Sequence, residues 1–575
     1  MSLKKNCARC KSAYEITDDD LAYFKKIAPS IGEGYPIDPP EFCFDCRMTT
    51  LMAWRNERNF HMVACANCKK QTVSIFSAQD KLNVLCSECF WSDEIDPHAS
   101  AIDYDDKKTF FSQFKKLFGQ AKLLSLYAVN NENCEFVNQE SDDNNCYLCM
   151  GGYSNQDCYY LTYSSYCNKC VNCLGLTNCQ NIANSTFCLN SYGGQYMYNC
   201  HNCRECNFCE DCIGCENCFG SVNLRYKKYC FFNEELPKKE YAEKIEEYLA
   251  TYEGITRAAK EFAKHRLNYV YKYDIRVFCG ENCNGDLLFQ CKNVENTYYS
   301  ANCENCKNSF LINKITEVVD GLAVGRGELV YYSGSSISLF DSAFCASCYS
   351  SRNIYYCYMC YSSNDLFGCV GLNHKQYCIF NKQYSKEEYE ILLPKIIEQM
   401  KNDGEWGQYF PIGMSPFGYN ETTANEHYPK TKAEVRNFGG NWREEEKKKY
   451  DGEYYQPKDI LEYQINRNPE AEKEIEKCLA GVLKCEESGK PFKIIARELA
   501  QYIEMGVQLP RQHPNIRHIH RLELLNKMKL YDRVCMCNEK THGHSWQCEV
   551  KFKTTYAPDR PEKVYCEDCY QQSII

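Results

Sequence analysis

The residues of this sequence best suited to chemistry are cysteines that occur in closely spaced pairs near both ends of the chain. Two intervening residues let a tight turn present both sulfurs to one ion, and two such turns complete a tetrahedral four-thiolate zinc site. A redox Cys-x-x-Cys motif would need a thioredoxin-like βαβ context, which these pairs lack. We therefore predict zinc ligation at the four N-terminal pairs, which are Cys7/Cys10, Cys43/Cys46, Cys65/Cys68 and Cys86/Cys89.

The two ends of the chain carry the same sequence unit, although the C-terminal copy has lost part of it. The segments that begin at Cys7, Cys43 and Cys68 align in order with those that begin at Cys485, His513 and Cys548. Three ligand positions have changed in the C-terminal copy, where the residues matching Cys10, Cys43 and Cys46 are Ser488, His513 and Ile516. The unit is therefore an internal repeat with one altered half.

The altered half indicates how the cysteine pairs are grouped. If the first pair shared an ion with the third, and the second with the fourth, the losses would damage both C-terminal sites. If neighbouring pairs share an ion, only one site is lost and the other survives. Sequential pairing is therefore favoured, with two zinc ions at the N-terminus and one at the C-terminus. Cys485 with His513 is expected to be a remnant held by packing.

The surviving C-terminal site includes Cys548, Cys566 and Cys569 and needs a fourth ligand. Ser545 falls where the counterpart of Cys65 is expected. The nearby sequence CMCNEKTHGHSWQC offers several donors, and an inserted loop would separate the two halves of the site. We place Cys537 first, Cys535 second, and the histidines His542 and His544 third.

The order of these parts resembles a known family. A Cys-x-x-Cys pair, an aromatic residue, a short helix and Pro-Pro-x-x-Cys-x-x-Cys-Arg precede Arg55, Asn56 and Arg58. This pattern resembles a small zinc-ribbon domain common in bacteria. Essentially the full chain, including SPFGYNET at 415–422, resembles cysteine-rich multi-zinc-ribbon proteins of ultra-small bacteria. That family has no established activity, so the resemblance implies the architecture and the cysteine ligands alone.

Most of the 43 cysteines lie in the middle of the chain, where the densest run is CHNCRECNFCEDCIGCENC at 200–218. A strand would point residues three apart to opposite faces, and Asn, Gly, Asp and Cys are poor helix formers. A chain that bends every few residues would bring each cysteine of the run to the inside. We expect buried, packed thiols, with bound metal as the alternative. Because the spacing departs from the bacterial cluster motif, an iron–sulfur cluster is not expected.

The middle of the chain is itself a repeat. The segment 218–241 matches 367–389 almost residue by residue, and each copy runs into a helix-forming sequence. Within each copy, short units recur every 9 to 12 residues or so. We therefore predict a multidomain, mainly β chain. Zinc ribbons at both termini would flank two tandem Cys/Asn/Tyr-rich β-solenoid repeats, each followed by a helix.

These observations predict eight segments along the chain. In order they are zinc ribbon 1 (1–62), zinc ribbon 2 (63–100), a helical linker (101–127), the first β-solenoid repeat with its helix (128–262), the second with its helix (263–403), a linker with a helix (404–477), a degenerate zinc ribbon (478–530) and a C-terminal zinc ribbon (531–575).

Composition and charge narrow the setting in which the protein works. The start MSLKKNCARC lacks the apolar stretch of a signal peptide, and no run approaches the roughly 18 apolar residues of a membrane span. We therefore expect a cytoplasmic, reducing location and no membrane partner. The net charge of −10 argues against nucleic-acid binding by the whole surface.

The function expected from the sequence is that of a non-enzymatic scaffold or adaptor. Its terminal ribbons would recognise a macromolecule, either a protein or a nucleic acid. The arginines that would suit phosphates are Arg47, Arg55, Arg58, Arg511, Arg517 and Arg521. The alternatives are a metal-cluster redox protein, whether iron–sulfur or multi-zinc, and a carbohydrate-active β-solenoid enzyme. No residue is assigned a catalytic role, and no small-molecule substrate is evident.

Overall fold

The structure is a computed structural model of the chain. It describes residues 3–26, 35–274, 276–278, 280–281, 283–292, 294, 296–306, 312–318, 321, 324–331, 336–444, 450–544 and 546–574. Ser545, the residue aligned with Cys65, lies outside these ranges.

The fold is mixed, with many small sheets and a substantial share of helix, so the expectation of a mainly β chain is corrected. Thirteen α-helices occur among the described residues: Asp18–Lys26, Phe44–Met52, Ser87–Phe90, Phe110–Gln120, Lys238–Leu249, Tyr252–His265, Lys386–Asn402, Thr423–His427, Lys432–Asn437, Ala471–Ala480, Ala496–Met505, Pro514–Glu523 and Glu567–Ile574. Short 3-10 turns lie at Ala78–Asp80, Pro97–Ser100, Arg266–Asn268, Ile412–Met414, Tyr419–Glu421, Ile460–Tyr463 and Lys540–His542.

The chain forms two compact units, and each combines segments that are distant in sequence. The first unit contains Met1–Tyr127, Arg276–Glu444 and Lys527–Leu530. The second contains Ala128–Ile275, Glu445–Asn526 and Tyr531–Ile575. The two copies of the central repeat, 128–262 and 263–403, are called the first and second central blocks. The first unit joins the N-terminal cysteine pairs to most of the second central block. The second unit joins the first central block to the C-terminal cysteines.

The strands among the described residues are two to ten residues long. Those of the first unit are Leu3–Asn6, Ala13–Ile16, His61–Ala64, Gln71–Ser74, Asn83–Leu85, Lys122–Leu124, Val277–Phe278, Gly285–Phe289, Thr297–Cys306, Ile312–Val318, Val324–Tyr331, Ser336–Ala343, Cys348–Tyr349, Arg352–Tyr355, Asn364–Phe367, Gln376–Ile379 and Lys382–Gln383. Those of the second unit are Ala128–Val129, Glu140–Ser141, Tyr159–Thr162, Val171–Leu174, Gln180–Ala183, Tyr192–Gln195, Arg204–Asn207, Cys230–Phe231, Glu234–Glu235, Val270–Lys272, Leu483–Lys484, Pro491–Phe492, Tyr531–Val534, Lys551–Thr554 and Lys563–Tyr565.

Parallel pairing organises both central blocks, at a twelve-residue register in the first and, after an eleven-residue step at its start, in the second. In the second unit Tyr159 pairs with Val171, and Val171 pairs in turn with Ala183, always twelve residues further on. In the first unit, Gly285 pairs with Thr297 at the same register. The recurrence seen in the sequence therefore corresponds to a twelve-residue backbone period.

Within the first central block the backbone also has a period of three. From Asn130 to Phe232 every third residue has a positive φ, and the residue that follows it in the Cys200–Cys218 run is a buried cysteine. Asn adopts this left-handed conformation more readily than most residues, which explains why asparagine so often precedes an inward position. Because the chain bends at each of these positions, a three-residue spacing can bring successive side chains inward.

Candidate metal centres

The first cysteine pair lies at the tip of a hairpin formed by Leu3–Asn6 and Ala13–Ile16. Lys11 has a φ of 64°, and its backbone N–H donates to the carbonyl of Cys7 across 2.9 Å. The backbone N–H of Cys10 lies 3.5 Å from the sulfur of Cys7 and donates to it. The turn therefore brings two thiols together through local hydrogen bonds alone.

The second pair is presented by the start of a helix. Cys43 immediately precedes the helix Phe44–Met52, and Cys46 lies in its first turn. The sulfurs of Cys10 and Cys43 are 3.5 Å apart. The hairpin turn and the helix start thus meet in one four-cysteine group of Cys7, Cys10, Cys43 and Cys46.

The next module repeats this arrangement. Cys65 and Cys68 lie at the tip of the hairpin His61–Ala64/Gln71–Ser74, and Cys86 precedes the helix Ser87–Phe90. The sulfurs of Cys68 and Cys86 are 3.8 Å apart. Together with Cys89 they form a second four-cysteine group, so the sequential pairing inferred from the sequence is confirmed at both N-terminal groups.

The geometry of these groups fits a tetrahedral metal ion. All four sulfurs of each group lie within 4.8 Å of one another. Zn–S bonds of about 2.3 Å at tetrahedral angles would place the sulfurs about 3.8 Å apart. Four thiols also fill all four positions around the ion, which is the pattern of a structural zinc site.

Hydrogen bonding favours at least one thiolate in each N-terminal group. A hydrogen bond from the Cys46 thiol, reinforced by the Cys46 backbone N–H, lowers the pKa of Cys43 to about 5, although burial opposes the shift. At Cys65 burial raises the pKa, but backbone N–H donors from Cys86, Cys68 and Asn67 outweigh it and bring the pKa to about 6. The neighbouring thiols shift in the opposite direction: the hydrogen bond with Cys43 raises the pKa of Cys46, and burial raises that of Cys86. Each group thus holds at least one ready thiolate, the form that binds a metal.

The C-terminal group contains Cys535, Cys548, Cys566 and Cys569, all buried. The sulfurs of Cys548 and Cys566 are 3.9 Å apart. The fourth sulfur comes from Cys535, which was predicted from the sequence only as the second choice after Cys537. The reason is strand pairing: Cys535 follows the strand Tyr531–Val534 directly, as Cys65 follows His61–Ala64.

Cys537 lies in a separate group with His542 and Cys569, whose ligand atoms are also within 4.8 Å of one another. The sulfur of Cys537 is 3.2 Å from Nδ1 of His542. The sequence offered these residues as alternatives for one ligand position, whereas the structure places Cys535 and Cys537 in two different groups. The backbone N–H of Met536 donates to Val564, as that of Ala66 donates to Val84. Met536 is therefore the counterpart of Ala66, and an alignment of these two residues would have matched Cys535 with Cys65.

The altered C-terminal half keeps the backbone of the turn without the full ligand set. Gly489 has a φ of 69°, and its N–H donates to the carbonyl of Cys485 as Lys11 does to Cys7. The backbone N–H of Ser488 donates to the sulfur of Cys485 across 3.4 Å. His513 caps the helix Pro514–Glu523 by accepting from the N–H of Asn515. These contacts fit the expected remnant held by packing.

The arginines proposed for phosphate contact in the first unit are turned inward. Arg47 is 7% exposed and donates from Nη1 to the carbonyl of Phe42 across 2.6 Å. Arg55 is 4% exposed and forms an ion pair with Glu57. Arg58 lies 4.0 Å from the carboxylate of Glu426. A phosphate could not reach Arg47 or Arg55 without displacing the residues around them.

The arginines of the second unit are similarly engaged. Buried Arg517 donates to Asn172 and Tyr502, and Arg521 is buried beside it on the same helix. Arg511 stacks 3.8 Å from the ring centre of Tyr252 and pairs with a glutamate, Glu486. The guanidinium groups of Arg511 and Arg517 therefore contact neighbours within the second unit, and Arg517 and Arg521 are buried.

The dense run at 200–218 belongs to a hydrophobic core cluster. Cys200 is fully buried, and its thiol donates to the carbonyls of Tyr198 at 3.5 Å and Cys209 at 3.4 Å. Burial raises the pKa of both Cys200 and Cys209 well above the ordinary value, whereas hydrogen bonds from neighbouring thiols lower the pKa of Cys203 and Cys215. The expectation of packed thiols therefore fits their geometry.

The second unit contains a buried pair of acids that was not predicted from the sequence. Glu140 and Asp143 are each 1% exposed, and burial raises the pKa of both, that of Asp143 to about 6. The Asp143 carboxylate accepts from the backbone N–H of Asn155 at 2.8 Å. The available signal was their position: both fall on the three-residue spacing that leads to Cys146 and Cys149.

Comparisons with protein-family models, curated proteins and solved structures found no match to this chain. Within the described residues, every helix is too short or too polar to cross a membrane. The fold and its sites thus define a cysteine-rich protein with three four-cysteine groups that could hold metal ions.

Proposed function

We propose that this protein is a zinc-binding, non-enzymatic scaffold that uses its terminal modules to recognise a macromolecule. The observation that carries the proposal is the closed composition of the three four-cysteine groups. Four thiols leave no position at the ion for water or substrate, as in structural zinc sites and unlike catalytic ones. The zinc-ribbon assignment and the family resemblance belong to this proposal.

The scaffold itself is proposed to be a pair of β-solenoids. The constant twelve-residue register of the parallel pairs and the bend at every third residue support this assignment for the first block. Such coils contact mainly their neighbours and create long, regular faces. Each block ends in an antiparallel turn followed by a helix, namely Lys238–Leu249 in one and Lys386–Asn402 in the other.

In the first unit, the first N-terminal module, which contains Cys7 and Cys46, packs directly against the second central block. Trp54 is 1% exposed, and its ring lies 5.6 Å from that of Tyr358 and 4.9 Å from that of Phe410. Ser415 donates to the carbonyl of Ala53 across 2.7 Å. Zinc in the adjoining module would therefore stabilise the hairpin and helix that hold this interface together.

A protein partner fits the surface of the C-terminal module better than a nucleic acid does. Trp546 is 84% exposed, and Val534, Met536 and Val550 are each more than a third exposed on the neighbouring hairpin. Exposed tryptophan is common at the energetic centre of protein interfaces. The arginines that would contact phosphates are buried or paired, and the net charge is −10.

Two measurements test the proposal. Metal analysis of the purified full chain should find at least three zinc ions per chain, one for each four-cysteine group, and iron in their place would favour the metal-cluster redox alternative. Quantitative affinity capture should recover one set of proteins with the wild type and lose it with Trp546→Ala. Met62→Ala, which changes an exposed apolar residue of another module, is the matched control. Salt-sensitive binding of RNA or DNA that survives Trp546→Ala would instead favour a nucleic-acid partner.

A further inference from the structure

We propose that the C-terminal module holds two metal ions, with the thiolate of Cys569 shared between them. The first ion would lie in the closed group of Cys535, Cys548, Cys566 and Cys569. The second would be bound by Cys537, His542, Cys569 and His544. This inference adds an ion to the three of the proposed function and rests on zinc binding at the closed group.

The shared sulfur carries the inference. Cys569 belongs both to the four-cysteine group and to the group with Cys537 and His542. The sulfur of Cys537 is 3.2 Å from Nδ1 of His542, close enough for both atoms to bind one ion. Nε2 of His544 lies 3.5 Å from the sulfur of Cys569 but outside the group whose ligand atoms are all within 4.8 Å, so it must move toward Cys537 and His542 to complete the second site. Two sulfurs and two imidazole nitrogens form a ligand set that zinc accepts.

The inserted loop supplies every additional donor. Two residues separate Cys65 from Cys68, whereas twelve separate Cys535 from Cys548. Those twelve residues contain Cys537, His542 and His544. In the second N-terminal module, which contains Cys65 and Cys89, the side-chain amide of Asn67 donates to the sulfur of Cys89 across 3.5 Å. Cys89 is the counterpart of Cys569. The insertion thus replaces a hydrogen-bond donor with a group that can bind a metal.

The orientation of His544 also suits a ligand. Its Nδ1 lies 2.5 Å from the backbone carbonyl of Trp546. An N–H at that position donates to the carbonyl and leaves Nε2, the atom that faces Cys569, with a free lone pair. Metal-binding histidines are commonly fixed in this way by a carbonyl or a carboxylate.

Electrostatics favours the second ion. Four thiolates around one divalent cation leave a buried group with two excess negative charges. A second divalent cation that brings Cys537 as its thiolate and two neutral imidazoles leaves one excess negative charge on the pair. Burying less uncompensated charge reduces the desolvation penalty. Sulfur and nitrogen donors select zinc over Mg²⁺ or Ca²⁺, which prefer oxygen ligands.

Native mass spectrometry of the zinc-loaded full chain tests the inference by counting ions. We expect four zinc ions in the wild type and three in both Cys537→Ser and the double variant His542→Ala/His544→Ala. His520→Ala is the matched control, because this histidine of the same unit pairs with Glu487 rather than with a thiol, and should retain four. Cadmium-113 NMR of the loaded wild type should show two coupled resonances from ions that share a thiolate.

Three ions in the wild type would overturn the inference while leaving the proposed function intact. Four ions in the wild type and in all variants would overturn it as well, because the fourth ion would then lie elsewhere. Fewer than three ions would overturn the inference together with the closed-site proposal. If a variant does not fold, uncoupled cadmium resonances in the wild type would still contradict a shared Cys569.

Discussion

The backbone N–H of Cys566 donates a hydrogen bond to the sulfur of Cys535 across 3.2 Å. In the second N-terminal module the N–H of Cys86 donates to the sulfur of Cys65 across 3.3 Å. Cys535 therefore occupies the position of Cys65, even though the loop that follows it is ten residues longer than its N-terminal counterpart. This equivalence separates the ligands of the closed site from the additional donors of the loop.

Replacement of Cys535 should remove the closed C-terminal site. We expect Cys535→Ser to lose at least one zinc ion and to lower the melting temperature of the second unit, because structural zinc contributes directly to folding free energy. Cys478→Ser, which changes a buried cysteine of the same unit outside the metal-binding groups, is the control. Zinc release measured with a chelating dye and calorimetry would check both effects. An unchanged zinc content in Cys535→Ser would contradict the assignment.

The altered C-terminal half should accept a restored site. Its turn keeps the contacts of the intact one: the N–H of Glu486 donates to the carbonyl of Arg511 across 3.1 Å, as Ala8 does to Glu41 across 3.0 Å. We expect Ser488→Cys/His513→Cys/Ile516→Cys to bind one more zinc ion than the wild type, counted by native mass spectrometry. The single variant Ser488→Cys is the control and should add no ion. The prediction fails if the triple variant folds without the extra zinc.

The thiols of the dense run should behave as packed side chains. Cys209 is fully buried, so Cys209→Ala should cost about 1–2 kcal/mol of unfolding free energy through the lost contacts and the small cavity. Its zinc content should equal that of the wild type. Denaturant unfolding and metal analysis check the two parts separately. Loss of a metal ion from this variant would revive the alternative of a metal in the run.

The buried acids should make the second unit less stable as the pH rises. The pKa of Glu140 and of Asp143 is raised by burial, for Asp143 from 3.8 to about 6. Below the pKa that the acids have in the unfolded chain, they are protonated in both the folded and the unfolded state. Their contribution to the free energy of unfolding is then complete. As the pH rises through the folded-state pKa values, the unfolded chain has already released protons that the fold retains, and the contribution is lost.

Glu140→Gln tests this linkage because glutamine resembles the protonated acid. We expect the variant to be more stable than the wild type at pH 8, by on the order of 1–2 kcal/mol. Its stability should also depend less on pH between about 4 and 8. Asp142→Asn changes an exposed neighbour and should leave the slope unchanged. Chemical denaturation at several pH values measures both quantities, and equal slopes in Glu140→Gln and the wild type would refute the prediction.

The features predicted correctly from the sequence are those that local chemistry specifies. A Cys-x-x-Cys turn closes through hydrogen bonds within five residues, such as that from Lys11 to Cys7, so its spacing alone indicates the ligand pair. The helix predicted after the second copy of the central repeat is also specified locally: at the start of Lys386–Asn402, Ser385 accepts from the N–H of Glu388 across 3.2 Å in a capping box. Comparison of the two ends of the chain was enough to group the N-terminal pairs correctly.

Tertiary structure decided what depends on distant partners. Cys535 and Cys537 differ by two positions, and only the pairing of Tyr531–Val534 with Lys551–Thr554 separates their roles. From the sequence Arg517 was predicted to contact phosphate. In the structure it is buried and donates a hydrogen bond to Asn172, which lies 345 residues away in sequence. The helix content was underestimated for a related reason, because amphipathic helices in the C-terminal segments are stabilised by packing that a cysteine pattern does not report. Local hydrogen bonds can be inferred from spacing, whereas burial of a charge or choice of a fourth ligand requires the folded chain.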